Sequence, residues 1–254
     1  MSPQAELQEL YGIYPKRRPP LTAQHEHVYV GEYKENRSGK GLLFSVVANL
    51  ESWMHKQVAD PRHEGSILEI GAGTLNHVPY EAAVGAYDVV EPFQELYGGS
   101  PHKERVRRFY DDMNEVPVSE SYDRIISVAV LEHLTHLPDV VARAGILLAD
   151  KGQFRAGIPT EGGALWGLSW RCTTGIAYRM RTGLPYATLM RHEHVNDERD
   201  ILKVVQCFFS HVRVRRFPVP LRHLSFYTAI HAEAPQREKC REWLSISSHT
   251  PAAS

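Results

Sequence analysis

Apolar residues along the chain recur in two patterns that alternate. Short runs rich in Val and Ile, SILEIG from Ser66, AYDVVEP from Ala86, ERVRRFY from Glu104 and YDRIISVAV from Tyr122, are bounded by turn residues and predict four strands. LPDVVARAGILLADKG from Leu137 places Val141, Ala144 and Leu148 at helical spacing, with proline near its start and Gly152 at its end, and predicts a helix. QFRAGIP from Gln153 predicts a fifth strand. Strands alternating with helices imply a mostly parallel sheet covered on both faces. HVRVRRFPV and LSFYTAIHAEA follow as two strands whose connection is too short for a parallel crossover, so they predict an antiparallel hairpin at the sheet edge.

The ends differ in character. Before the first strand stands a leader, residues 1–64, with the proline-rich YPKRRPPL and then GLLFSVVANLESWMHKQVA, whose Leu42, Val46, Leu50 and Met54 recur at helical spacing. It is expected to pack on or over the main domain, residues 65–235, as a lid that Tyr33 and Arg37 equip to reach a ligand. Residues 236–254 are expected to form a tail, and its last stretch, SSHTPAAS, to be disordered.

With 254 residues, 43% hydrophobic and 23% charged, the chain can bury a substantial core, which excludes disordered and fibrous classes. A net charge of -1 argues against a general nucleic-acid binder and favours a small-molecule partner. No apolar run is long enough to span a membrane, and the N-terminus lacks the order of a secretory signal, so a cytoplasmic location is expected. Cys172, Cys207 and Cys240 are odd in number and never form a CxxC pair, which suggests neither a disulfide framework nor a zinc site.

ILEIGAGTLNH carries the first chemical signal. Gly71 and Gly73 stand where a buried strand hands over to a helix, the turn at which a cofactor approaches backbone N–H groups and side chains would block it. Glu91 closes the next predicted strand about twenty residues on, where a carboxylate can accept both ribose hydroxyls of an adenosine. Asn76 occupies the last position of a GxGxxG fingerprint, which disfavours a nicotinamide cofactor.

LEIGAGT, YDVVEP and YDRIISVAVLEHL together resemble motifs of the class I S-adenosylmethionine-dependent methyltransferases, in particular the small-molecule group similar to ubiquinone and menaquinone biosynthesis enzymes. The resemblance covers roughly Ile67 to Pro159 and implies an α/β, Rossmann-like, seven-stranded sheet with helices on both faces and an antiparallel C-terminal hairpin. It implies S-adenosyl-L-methionine as cofactor, held at its methionine end by Glu69, Gly71, Gly73 and Ser127, with Val128 beside them. It assigns the ribose to Glu91 and the adenine to Asp111, with Asp112 or Met113 beside the ring. The LEHL stretch is similar to a metal-binding Glu-x-x-Glu-His pattern, but Ala129 holds its first position, so no metal is expected.

The family inserts substrate-recognising helices after the fifth strand, which here implies residues of about 160–200. Glu161, Trp166, Trp170, Arg191 and His192 lie in that stretch, combining aromatic faces with guanidinium and suiting a polar, anionic acceptor such as a saccharide. Trp166 and Trp170, four apart, equally suit a core stripe. Methyl transfer to a hydroxyl benefits from a positioned base, and His133 or His194 is expected to supply it. The expected activity is an O-methyltransferase acting on a small molecule or saccharide, an oligomer being open; an N- or C-methyltransferase, or a non-catalytic partner that binds the cofactor, uses the same motifs.

Overall fold

A computed structural model of the chain describes residues 3–28, 51–62, 64–82 and 85–247. Its centre is one seven-stranded sheet in the order β3-β2-β1-β4-β5-β7-β6. The strands are β1 Ile67–Ile70, β2 Tyr87–Val90, β3 Arg108–Tyr110, β4 Tyr122–Val128, β5 Leu148–Pro159, β6 Phe209–Pro218 and β7 Ser225–Pro235. β1 pairs in parallel with β2 on one edge and β4 on the other, with Glu69 opposite Val89 and Ile126. β7 inserts antiparallel between β5 and β6, which makes the expected hairpin the sheet edge.

Alternation along the central strands builds two cores. Leu68, Ile70 and Ile125 face the larger one, and Ile67, Val89 and Ile126 the smaller. Both faces are therefore covered, as a parallel sheet requires. Helix α1 (Pro3–Tyr11) sends Leu7 and Leu10 into the larger core, together with α2 (Leu137–Leu147), α6 (Glu198–Phe208) and α7 (Arg237–Ser247). Between β5 and α6 lie the short helices α3 (Ala164–Cys172), α4 (Thr174–Thr182) and α5 (Tyr186–Glu193). The capping box formed by Asp197 and Asp200 starts α6 and so ends this stretch of short helices.

Three expectations change. The helix expected to run to Gly152 stops at Leu147, and β5 begins at once. Gly152 lies inside that strand: a Cβ there would stand 3.0 Å from the Tyr122 carbonyl oxygen, so the glycine serves close backbone approach beside a register shift in β4. In ERVRRFY only Arg108–Tyr110 is strand, because Lys103–Arg105 forms a 3-10 turn. The region expected as a tail contains α7, whose Cys240 and Trp243 are buried. Trp243 stacks on Tyr11 at 4.2 Å between ring centroids and donates to Asp139, joining both ends of the chain. Residues 248–254 lie outside the described residues, as do Leu42, Val46, Leu50, Tyr33 and Arg37.

Residues 51–58 are helical and bury Met54 and Val58. Met54 packs where β5 has no side chain: a Cβ on Gly157 would lie 2.8 Å from that of Met54. Arg155 of β5 caps the helix end through the carbonyls of Val58 and Ala59 and the Asp60 carboxylate.

Trp243→Ala should lower stability by about 3–5 kcal/mol, as expected for loss of a large buried aromatic side chain. Urea denaturation checks this, and a loss within about 0.5 kcal/mol, the range of surface substitutions, would show that α7 does not complete the core.

Candidate functional site

β1 is hydrogen-bonded on both edges, so the chain leaving Ile70 turns over the end of the sheet. Gly71 (φ 71) and Gly73 (φ 52) take left-handed conformations that glycine adopts without strain. A Cβ on Gly71 would come within 2.4 Å of Val130, whereas one on Gly73 would meet nothing within 4 Å. The first glycine is required by packing and the second faces open space.

Glu91, at the end of β2, crosses to this turn. Its Oε2 accepts the Gly73 N–H at 2.8 Å and its Oε1 accepts the Phe93 N–H at 3.1 Å. Each carboxylate oxygen keeps a further lone pair, which suits the two hydroxyls of a ribose. Ser127 is buried, with its Oγ donating to the Ile70 carbonyl at 3.3 Å, and Ala129 beyond it has φ 55. Glu69 is buried and accepts from the Tyr87 hydroxyl at 2.7 Å; burial raises its pKa. Asp112 accepts from the Asn114 N–H as the cap of a 3-10 turn, Asp111 is exposed, and Met113 sends its side chain into the larger core.

A cleft of about 270 Å³ opens on this turn. Glu69, Gly71, Ala72, Gly73, Val128 and Ala129 supply its strand-end wall, and Glu51, Met54 and His55 of the 51–58 helix face them across it. Glu51, His55 and Asn76 also line an adjoining, more open cleft of about 390 Å³.

Behind His55 runs a chain of buried polar groups. His55 Nδ1 lies 3.0 Å from His77 Nδ1, and His77 Nε2 lies 3.0 Å from Glu81 Oε1. Arg124 donates to both Glu81 oxygens at 2.8 and 2.6 Å. Burial alone would raise the Glu81 pKa, but hydrogen bonds from His77 and Arg124 outweigh it and hold the carboxyl at about 2. Burial and the neighbouring His77 hold His55 at about 4. Motif reading misses this group. The signal available for it was Arg124, a charged residue inside the apolar run of a central strand, which demands a buried partner.

The expected histidines come together elsewhere on the same carboxyl side of the sheet. His133 and His194 stand edge to face at 4.7 Å, with His194 Nδ1 on Glu161 Oε2 at 2.5 Å and His133 Nδ1 on the Glu193 carbonyl at 3.0 Å. Burial lowers the His194 pKa, but Glu161, Glu132 and Glu193 raise it further, and the net shift is upward. Glu132 is buried with Oε2 unpartnered, and burial raises its pKa. Arg18 ties the N-terminal segment to the carbonyls of His133, His192 and Glu193.

Trp166 packs against Tyr227, Trp170 lies between Arg171 and Tyr186, and Arg191 is exposed. His192 Nδ1 lies 2.8 Å from the Pro19 carbonyl. None of these residues, nor His133, His194 or Glu161, belongs to the walls of the two clefts. Among the described residues, no group of three or more His, Cys, Asp and Glu is arranged to hold a metal ion, and no helix is long and apolar enough to cross a membrane.

This buried chain leaves a signature in stability. A histidine held at about 4, below its usual 6.5, binds fewer protons folded than unfolded, so its contribution is complete above pH 6.5 and is lost as pH falls towards 4. Glu81, held at about 2, loses its contribution from about 4.5 downwards. Urea midpoints should therefore fall between pH 6.5 and 4, and His55→Gln should flatten that interval; equal slopes in the two proteins would contradict the burial of His55.

No protein-family model and no curated protein matches the chain. Solved structures do. A Thermotoga maritima S-adenosylmethionine-dependent methyltransferase, described as a possible histamine N-methyltransferase, aligns over 80% of this chain and 95% of its own with a TM-score of 0.54 and 16% identity. Phosphoethanolamine N-methyltransferase 2 of Haemonchus contortus, in complex with S-adenosyl-L-methionine, aligns over 74% of this chain and 53% of its own, with a TM-score of 0.50 and 13% identity. The chain has the Rossmann-like fold of the class I S-adenosylmethionine-dependent methyltransferases.

Proposed function

We propose that the chain is an S-adenosylmethionine-dependent methyltransferase acting on a small molecule. The observation that carries this reading is the Glu91 carboxylate bound to the Gly73 N–H at the point where the strand order reverses, with a cleft opening on the same glycine turn. The residues present fit the cofactor. Glu91 keeps lone pairs for the ribose, Asp111 and Asp112 follow β3 where the adenine amino group would need an acceptor, and Glu69, Gly71 and Gly73 line the cleft where the methionine end would lie, with Ser127 buried behind them.

When bound, the cofactor supplies an electrophilic methyl group on a sulfonium. The protein's part is to hold the acceptor in line with it and to exclude water, a contribution of up to ~7–11 kcal/mol in favourable systems. The proposed acceptor is a hydroxyl of a small molecule or saccharide. Trp166, Trp170, Arg191 and His192, with His194 fixed by Glu161 and His133 against it, are proposed to receive it at the outer rim. A second reading, an amine acceptor, is favoured by the cleft itself: among the described residues Glu51 and Glu69 line it and no Arg or Lys does. Of the two structural neighbours named above, one is described as a possible histamine N-methyltransferase and the other as a phosphoethanolamine N-methyltransferase.

Calorimetry with S-adenosylhomocysteine tests the reading. Binding is expected, and Glu91→Ala should weaken it by about 10- to 100-fold, the range for hydrogen bonds to a charged group, while circular dichroism stays unchanged. Absence of binding would overturn the proposal, and transfer of labelled methyl to a panel of alcohols, saccharides and amines separates the two acceptor classes.

A further inference from the structure

Four side chains run from the middle of β4 to the wall of the cleft. Arg124 is always charged and donates only, so its two bonds fix Glu81 as a carboxylate, which accepts only. His77 Nε2 therefore carries the hydrogen in its 3.0 Å contact with Glu81. With its hydrogen on Nε2 only, His77 presents a bare Nδ1, and the 3.0 Å contact between the two Nδ1 atoms then makes His55 the donor. His55 Nε2 is left bare, with no hydrogen-bond partner among the described residues, on a ring that lines both clefts. The tautomer of a half-buried histidine at the cleft is thus set by a guanidinium three groups away.

We infer that His55, His77, Glu81 and Arg124 form a proton-accepting relay whose outer nitrogen, His55 Nε2, takes the proton that the methyl acceptor must lose. This rests on the methyltransferase reading and deepens it. As the acceptor oxygen or nitrogen uses an electron pair to bond the methyl carbon, its bond to hydrogen breaks and the proton bonds His55 Nε2. The carbon–sulfur pair stays with the departing thioether. The hydrogen on His55 Nδ1 passes to His77 Nδ1, so His55 ends neutral and His77 ends as an imidazolium against the Glu81 carboxylate.

That transfer answers the weakness of His55 alone, whose pKa of about 4 makes it a poor base near neutrality. Moving the charge one ring inward places it beside an opposite charge in a buried site, where their attraction is strong. Among the described residues, the ionisable groups facing the two rings are Glu51 and Glu69 at the cleft, Tyr80 stacked on His55 at 4.9 Å, Glu81, and Arg124 beyond it. His55 shares the walls of one cleft with Gly71, Gly73 and Ala129, whereas His133 and His194 do not belong to those walls.

Two-bond proton–nitrogen correlation spectra of the ¹⁵N-labelled full chain test the tautomers without an acceptor. At pH 7, His55 should carry its hydrogen on Nδ1 with Nε2 bare, and His77 on Nε2, with His55→Gln identifying its own signals. Titration with S-adenosylhomocysteine should shift the His55 resonances. His55→Gln should keep affinity for that ligand within about threefold yet lower kcat 10²–10⁴-fold, the range for loss of a general base, on whichever acceptor the panel identifies, and should abolish the acidic limb of its pH profile. A protonated Nε2 at pH 7, or an unchanged kcat, overturns the relay while leaving the cofactor reading intact. Failure of S-adenosylhomocysteine to bind the native chain overturns that reading, and the relay with it.

Discussion

β1 is paired in parallel on both edges, to β2 and to β4, and this constraint organises the carboxyl end of the sheet. With no free edge to follow, the backbone leaving Ile70 must lift over the strand ends, and β2 and β4 carry the chain away in opposite directions. The gap they leave is a topological switch point. Glycines with positive φ make the lift without strain, and Glu91 reaches back from β2 to tie down the Gly73 N–H. A glycine turn, an acid and an adjoining cleft follow from a single pairing pattern.

The same alternation that fills the two cores places the polar groups. Ile67, Glu69, Arg124 and Ile126 face one side of the sheet, so the residues on that side that cannot be apolar meet His77 and Glu81. A buried ion pair is costly unless every partner is satisfied. Here the guanidinium, carboxylate and two imidazoles form one line of donors and acceptors, with Arg124 Nε left unpartnered at its inner end, and the line reaches the cleft because the 51–58 helix supplies its last member. Gly157, by leaving room for Met54, sets how close that helix lies.

The strands were legible because parallel strands buried on both faces read as unbroken apolar runs, and ILEI, YDVV and the middle of YDRIISV are such runs. The hairpin was legible from its short connection. Gly152 misled, since a glycine after a helical pattern resembles a helix end, and only the opposing Tyr122 backbone shows what it is for. Residues 237–247 read as a polar tail because Cys240, Trp243 and the partly buried Leu244 are few among charged neighbours, and Lys239 is buried as well.

Of the site, Gly73 and Glu91 were readable from spacing, because their contact is made between consecutive strands. His133, Glu161 and His194 were readable as chemistry-bearing types near strand ends, and the fold brings them within contact of one another. The relay was not readable, because His55, His77, Glu81 and Arg124 come from separate segments and meet only once the helix docks. A crystal structure with S-adenosylhomocysteine tests the central claim most directly. The account predicts both ribose hydroxyls on the Glu91 carboxylate and the sulfur beside Gly71 and Ala129; a nucleoside seated anywhere else would contradict it.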